Sequence, residues 1–300
     1  MPYSKTASPS ATRALLDEFG LSAKYALGQN FLVNDDVVGR ICALANLHED
    51  DVVLEVGPGI GTLTSALLPR VAAVVAVEAD RDMAAPLSVT TADYSERFAL
   101  VMGDALRVTP EQLSAALAAL RTAGLASRPL RELPNRWVAN LPYAVAATLI
   151  LKYFQDWEFI DDATVMVQSE VADRICAQPG TKIYGAYTLK LQLFARVAGR
   201  FQVAPSCFFP APHVESAVVH LERVAPQERL TREEAARCIA VIDAAFAQRR
   251  KTIRNSLSSV GPWSKDQLDA AFAATGIAPG CRAETLDLAA FKALTQALTH

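Results

Sequence analysis

Cysteine is scarce in this chain. Five residues (Cys42, Cys176, Cys207, Cys238 and Cys281) are scattered through 300, with no C-x-x-C pair and no histidine at ligand spacing. That pattern argues against a disulfide framework and a structural zinc site, and it fits small buried thiols in a reducing cytosol. No metal is expected. No apolar run approaches the roughly 18 residues that a membrane helix needs, so no membrane association is expected. The opening MPYSKTASPSATR holds no apolar stretch of secretory type, so a cytoplasmic location is expected, with residues 1–20 as a flexible arm. There is no repeat at solenoid spacing.

Neither sign of charge dominates. Twenty-nine Lys and Arg face 32 Asp and Glu, a net −3. The average hides an asymmetry, because residues 223–300 carry 11 basic and 8 acidic side chains. The C-terminal part is therefore the more plausible polyanion contact. At 51% hydrophobic and 20% charged, the chain can bury a large core, and its length suits about two domains.

Strand and helix patterns alternate from about residue 50 to 168. The branched runs Val52–Val56, Val71–Glu78, Phe98–Met102, Arg136–Ala139 and Ala163–Gln168 predict strands. The intervening segments predict helices, and 121–135 reads as a loop. This order builds a parallel α/β sheet with right-handed crossovers. Ala195–Val203 and Ser216–Glu222 predict paired strands at the sheet edge, and 231–300 is helical throughout. The expected division is a first domain over 21–224 and an all-helical domain over 225–300.

The first parallel strand runs into Glu55-Val56-Gly57-Pro58-Gly59-Ile60-Gly61. Glycine there lets a backbone approach a ligand closely. The spacing is G-x-G-x-G, and no Walker lysine follows, which argues against a triphosphate. Glu78 ends the second strand, 21 residues after Gly57, where an acid accepts hydrogen bonds from ribose hydroxyls. Together these favour an adenosine site. Asp104, after the third strand, either accepts from an exocyclic amine or caps the next helix. Asn140-Leu141-Pro142-Tyr143 ends the fourth strand on the same sheet edge. It offers a carbonyl acceptor, a rigid turn and a flat aromatic face, which a planar amine substrate needs.

Read together, these motifs resemble the ribosomal RNA adenine N6,N6-dimethyltransferases, the KsgA family. Gly28-Gln29-Asn30-Phe31-Leu32, EVGPGIGTLT, Glu78, Gly103-Asp104 and NLPY stand in family order. Gln168-Ser169-Glu170-Val171-Ala172, Pro179-Gly180 with Tyr184-Gly185, and the run from Phe208 to Ser216 are similar to later family segments. So are Phe246–Thr252 (FAQRRKT) and Arg282–Leu286 (RAETL), and the likeness spans about residues 20–296.

The resemblance implies a Rossmann-like S-adenosylmethionine-dependent methyltransferase sheet followed by a small helical domain. It implies Asn30, Leu32, Gly57, Glu78, Asp104 and Asn140 as cofactor residues. Asn140 and Leu141 would accept the two N6 hydrogens of adenine, Pro142 would hold the turn, and Tyr143 and Phe208 would face the target ring. Arg249, Arg250, Lys251 and Arg254 would meet RNA phosphates, with Arg250 and Arg254 on one helix face. The implied reaction places methyl groups on two adjacent adenines near the 3′ end of small-subunit (16S) rRNA during ribosome biogenesis. The implied partner is a pre-ribosomal particle and the enzyme a monomer. The alternatives are a large-subunit rRNA adenine methyltransferase that confers macrolide resistance, or a non-catalytic assembly factor.

Overall fold

Valine-rich segments bounded by glycine and acidic turns make the sheet. The computed structural model describes residues 2–24, 28–122 and 130–299. The strands among them are β1 (Phe31–Leu32), β2 (Val52–Val56), β3 (Ala73–Glu78), β4 (Phe98–Met102), β5 (Arg136–Asn140), β6 (Asp162–Gln168), β7 (Ala195–Val203), β8 (Phe208–Phe209) and β9 (Ser216–Arg223). Seven of them form one sheet in the order β4-β3-β2-β5-β6-β9-β7. The first five strands in that order run parallel, and β9 lies antiparallel to β6. Every residue of β2 and β3 is buried, as expected for central strands covered on both faces.

The helices are α1 (Pro9–Glu18), α2 (Asp35–Ala45), α3 (Thr62–Leu67), α4 (Ala84–Thr90), α5 (Pro110–Leu120), α6 (Ala146–Asp156), α7 (Ser169–Ile175), α8 (Ala186–Gln192), α9 (Arg232–Phe246), α10 (Ile253–Val260), α11 (Lys265–Thr275) and α12 (Leu288–Ala297). Their starts are written in the sequence. Asn34 accepts the Val37 amide at the head of α2, and Thr109 with Gln112 forms a capping box on α5. Val38, Ile41 and Ala45 of α2 and Leu63, Ala66 and Leu67 of α3 share one apolar cluster with Val53, Val74 and Val138 of the sheet. The Tyr153 ring of α6 lies 4.8 Å from that of Trp137.

The chain leaves β2 for β3 and β4 on one side, then returns to build β5 and β6 on the other. Connections above β2 and β5 therefore diverge, and the carboxyl ends of these neighbours open a crevice. The glycine loop follows β2 and NLPY follows β5, so both motifs reach that crevice.

Two expectations change. The chain divides into two compact units, residues 1–172 with 197–223, and 173–196 with 224–300. A single boundary near 224 fails because Ala177, Tyr184, Leu189 and Leu193 share an apolar cluster with Val241, Ile242, Phe272 and Phe291. Lys190 also pairs with Asp243 at 2.8 Å. The arm expected over 1–20 is an ordered part of the first unit, described from residue 2. The Asp35 carboxylate accepts the Tyr3 and Ser4 amides at 2.9 and 2.8 Å, and Leu15 and Leu16 of α1 are buried. Residues 123–129 of the expected loop at 121–135 lie outside the described residues.

Candidate active site

Gly57 and Gly59 have φ of +69° and +57°, a conformation that side chains disfavour. A Cβ on Gly57 would lie 3.4 Å from the Pro142 ring and 3.8 Å from the Asn140 carbonyl oxygen. The loop after β2 thus packs directly on the turn after β5. The Glu78 carboxylate ties this loop to the end of β3. Oε2 accepts the Gly59 amide at 3.2 Å and Oε1 accepts the Asp80 amide at 2.8 Å. Each oxygen keeps further lone-pair capacity, enough for a ribose diol. At 7% exposure, desolvation raises the Glu78 pKa, while these amide hydrogen bonds act to lower it. Beneath the loop, burial pushes the Glu55 carboxyl up to about 8, and the Glu78 charge adds to that push. At neutral pH Glu55 is therefore largely uncharged, which avoids two adjacent buried carboxylates.

The segment before β1 closes on the same edge. Lys24 Nζ donates to Asp80 and to Asp82, each at 2.6 Å, and Gln29 Nε2 donates to Asp80 at 2.8 Å. Asn140 Nδ2 donates to the Asn30 carbonyl at 3.2 Å. A carbonyl only accepts, so the amide nitrogen must face Asn30 and Oδ1 must turn the other way. The side-chain oxygen of Asn140 is thereby held in one orientation. Leu141 is anchored through its amide, which donates to the Met166 carbonyl at 3.1 Å. The Pro142 carbonyl accepts the Val145 and Ala146 amides and starts α6. The half-buried Tyr143 has its hydroxyl 2.5 Å from Ser216 Oγ, which fixes the ring. Asp104 is exposed at the end of β4, where its Oδ1 accepts the Leu106 amide at 2.9 Å. Asp104 thus caps a local turn and not the next helix, α5, which Thr109 caps, and its Oδ2 lies 3.8 Å from Arg107.

The family profile for ribosomal RNA adenine dimethylases matches residues 20–299. The chain belongs to the ribosomal RNA adenine dimethylase family. The ribosomal RNA small subunit methyltransferase A of Rhodococcus opacus is 43% identical over 299 residues, covering 97% of this chain and 94% of that protein. Its counterpart in Thermobifida fusca is 39% identical over 298 residues, covering 96% and 95%. A dimethyladenosine transferase of Plasmodium falciparum shares the fold, with a TM-score of 0.71 at 23% identity over 87% of this chain and 94% of that one. The 23S rRNA methyltransferase ErmE does likewise, with a TM-score of 0.64 at 24% identity, covering 90% and 100%.

This ribosomal RNA adenine dimethylase uses S-adenosylmethionine. The site fits that cofactor: Gly57 and Gly59 hold a positive-φ turn at the crevice that side chains disfavour, and Glu78 presents acceptors beside it. Replacing Glu78 with Ala should weaken cofactor binding by about 1.5–3 kcal/mol, the range for hydrogen bonds to a charged group. Calorimetry on both proteins tests this. Binding of NAD and none of S-adenosylmethionine to the unaltered enzyme would overturn the pocket assignment.

Not every expected residue lies where the motifs implied. Leu32 is buried in the core, so only its backbone can face a ligand. Phe208, expected as a second face for the target ring, is 4% exposed and packs in the cluster with Leu32, Met166 and Val218. β8 pairs Phe208 with Leu32 of β1, which turns that ring into the core rather than leaving an open face. Arg250 and Arg254 do not share a helix face. α9 ends at Phe246 and α10 begins at Ile253, because Thr252 caps the new helix by accepting the Asn255 amide. Arg254 is also engaged by both oxygens of Asp269, at 2.7 and 2.6 Å. Arg249, Arg250 and Lys251 are exposed in the turn between these helices.

Within the second unit, Arg249 and Arg250 line a cleft of about 460 Å³ together with Lys182 and Arg282. The motif reading did not single out these last two as anion ligands, since neither belongs to a run of basic residues. Glu284 lies in the same cleft, and its carbonyl accepts the Gly180 amide at 2.7 Å.

Proposed function

We propose that this enzyme methylates N6 of two adjacent adenines near the 3′ end of small-subunit rRNA, acting on a partly assembled particle as a monomer. The fixed Asn140 amide carries this reading. When bound, the cofactor supplies an electrophilic methyl sulfonium. Adenine N6 is a weak nucleophile because its lone pair is delocalised, so the protein's work is alignment. Asn140 Oδ1 and the Leu141 carbonyl accept the two N6 hydrogens. They draw the amine toward tetrahedral geometry and offset its developing positive charge. The Tyr143 ring stacks on the base, worth roughly 1–3 kcal/mol, which offsets much of the cost of unstacking it. No strong base is needed, because a proton can leave after transfer. Arg249, Arg250 and Lys251, with Lys182 and Arg282 in the cleft, take RNA phosphates. Arg254 is left out, since Asp269 neutralises it.

Methylation of small-subunit particles should fall steeply with salt, because each phosphate contact releases counterions. Primer extension on the product should stop at two neighbouring adenines, since dimethyladenine blocks reverse transcription. Salt-independent methylation of free adenosine would contradict the reading. Stops at one adenine of large-subunit rRNA would assign the enzyme to the alternative substrate.

A further inference from the structure

The family profile begins at residue 20, so most of the N-terminal segment stands outside it. That segment is nevertheless built onto the site. Ser4 Oγ lies 2.9 Å from Ser65 Oγ, and Thr6 Oγ1 donates to Thr62 Oγ1 at 3.0 Å, which fastens the chain to α3 just past the glycine loop. Leu15 and Leu16 of α1 share an apolar cluster with Ile60 of the glycine loop and Phe31 of β1. Arg13, also on α1, is exposed, and its guanidinium carbon sits 4.7 Å from the centre of the Phe209 ring, which packs against the same cluster. Arg13 makes no hydrogen bond or ion pair with any described residue. Among the described residues its N–H donors are therefore unspent, while the ring holds the guanidinium in place.

The position of Phe209 gives this arginine a substrate to meet. Phe209 pairs with Phe31, whose neighbour Asn30 accepts the Asn140 side chain. From Phe209 the chain runs through a mostly exposed loop, 210–215, to Ser216, which holds the Tyr143 hydroxyl. One rim thus leads from Arg13 to the face that stacks the target base. We propose that Arg13 binds a phosphodiester of the rRNA strand that carries the target adenine, making the N-terminal segment an RNA-contacting wall of the active site. A rigid planar fork of donors suits a phosphate, and a contact beside the flipped base holds the strand in register with Asn140. The inference rests on the rRNA reading above.

Arg13→Ala, Arg13→Met and Arg13→Lys separate charge from packing. Methionine keeps an apolar stem over the Phe209 ring, and lysine keeps the charge. The readout is kcat/KM for small-subunit particles as a function of salt, beside calorimetric affinity for S-adenosylmethionine and a thermal melt. Arg13→Ala and Arg13→Met should both flatten the slope of log kcat/KM against log salt by about 0.7–0.9, the value for one phosphate contact. Arg13→Lys should keep most of the slope, and cofactor affinity should not change. A Met variant with the parental slope, or a loss confined to cofactor affinity or thermal stability, would overturn the proposal. Absence of rRNA methylation by the unaltered enzyme would instead defeat the functional reading itself.

Discussion

Asn140→Ala should lower the single-turnover methylation rate by about 10²–10³, by analogy with removal of one oxyanion-hole donor. The reason lies in where the amide is held. Its nitrogen is spent on the Asn30 carbonyl, which leaves the oxygen as the group that the proposed alignment sets against the amine whose charge grows during transfer. An interaction that strengthens in the transition state appears in kcat rather than in substrate affinity. Asn140→Asp is the informative control. It keeps an acceptor but sets a carboxylate against the Asn30 carbonyl, so the orientation is lost and the rate should fall as well. Particle binding should persist in both variants, carried by the basic residues of the second unit. Full activity of Asn140→Ala with saturating cofactor would remove the alignment mechanism.

Tyr143→Ala should be the second severe change, at roughly 1–3 kcal/mol of lost stacking, a drop of about 5- to 150-fold. Tyr143→Phe keeps the ring face but leaves Ser216 Oγ, at 0% exposure, without its partner. One neutral hydrogen bond is worth about 0.5–1.5 kcal/mol, so this change should be mild. Ser216→Ala breaks the same bond from the other side. The double variant Tyr143→Phe with Ser216→Ala should be no worse than either single change, because no polar group is then left stranded. Additive losses would show that Ser216 acts by another route than the tyrosine hydroxyl. If Tyr143→Phe proved as damaging as Tyr143→Ala, the hydroxyl rather than the face would be the functional group, and the stacking role would be wrong.

Both side chains are held by groups from distant segments. NLPY at a strand end identifies an acceptor and an aromatic face, but only the fold turns the Asn140 oxygen away from Asn30, which comes from a segment 110 residues away. The tyrosine's partner is likewise remote. Ser216 stands 73 residues beyond Tyr143 and reaches it because β9 returns antiparallel beside β6.

The sequence by itself determined the local and short-period features. Valine-rich runs specify buried strands, Asn34, Thr109 and Thr231 cap their helices, and G-x-G-x-G followed by Glu78 places a carboxylate against the glycine loop. These depend on backbone preference and on spacing along one chain segment, and both are visible in a string of letters. Tertiary structure alone decided which distant groups meet. Asp269 spends Arg254, which the resemblance implied as a phosphate ligand. Core packing withdraws Phe208 from the target ring. Leu189 and Leu193 belong to the C-terminal helices because burial rewards spatial neighbours regardless of their order in the chain. The same logic turned an expected loose arm into an ordered segment: Asp35 satisfies two of its amides, and Leu15 and Leu16 find buried apolar partners in Phe31, Ile60, Met83 and Leu87.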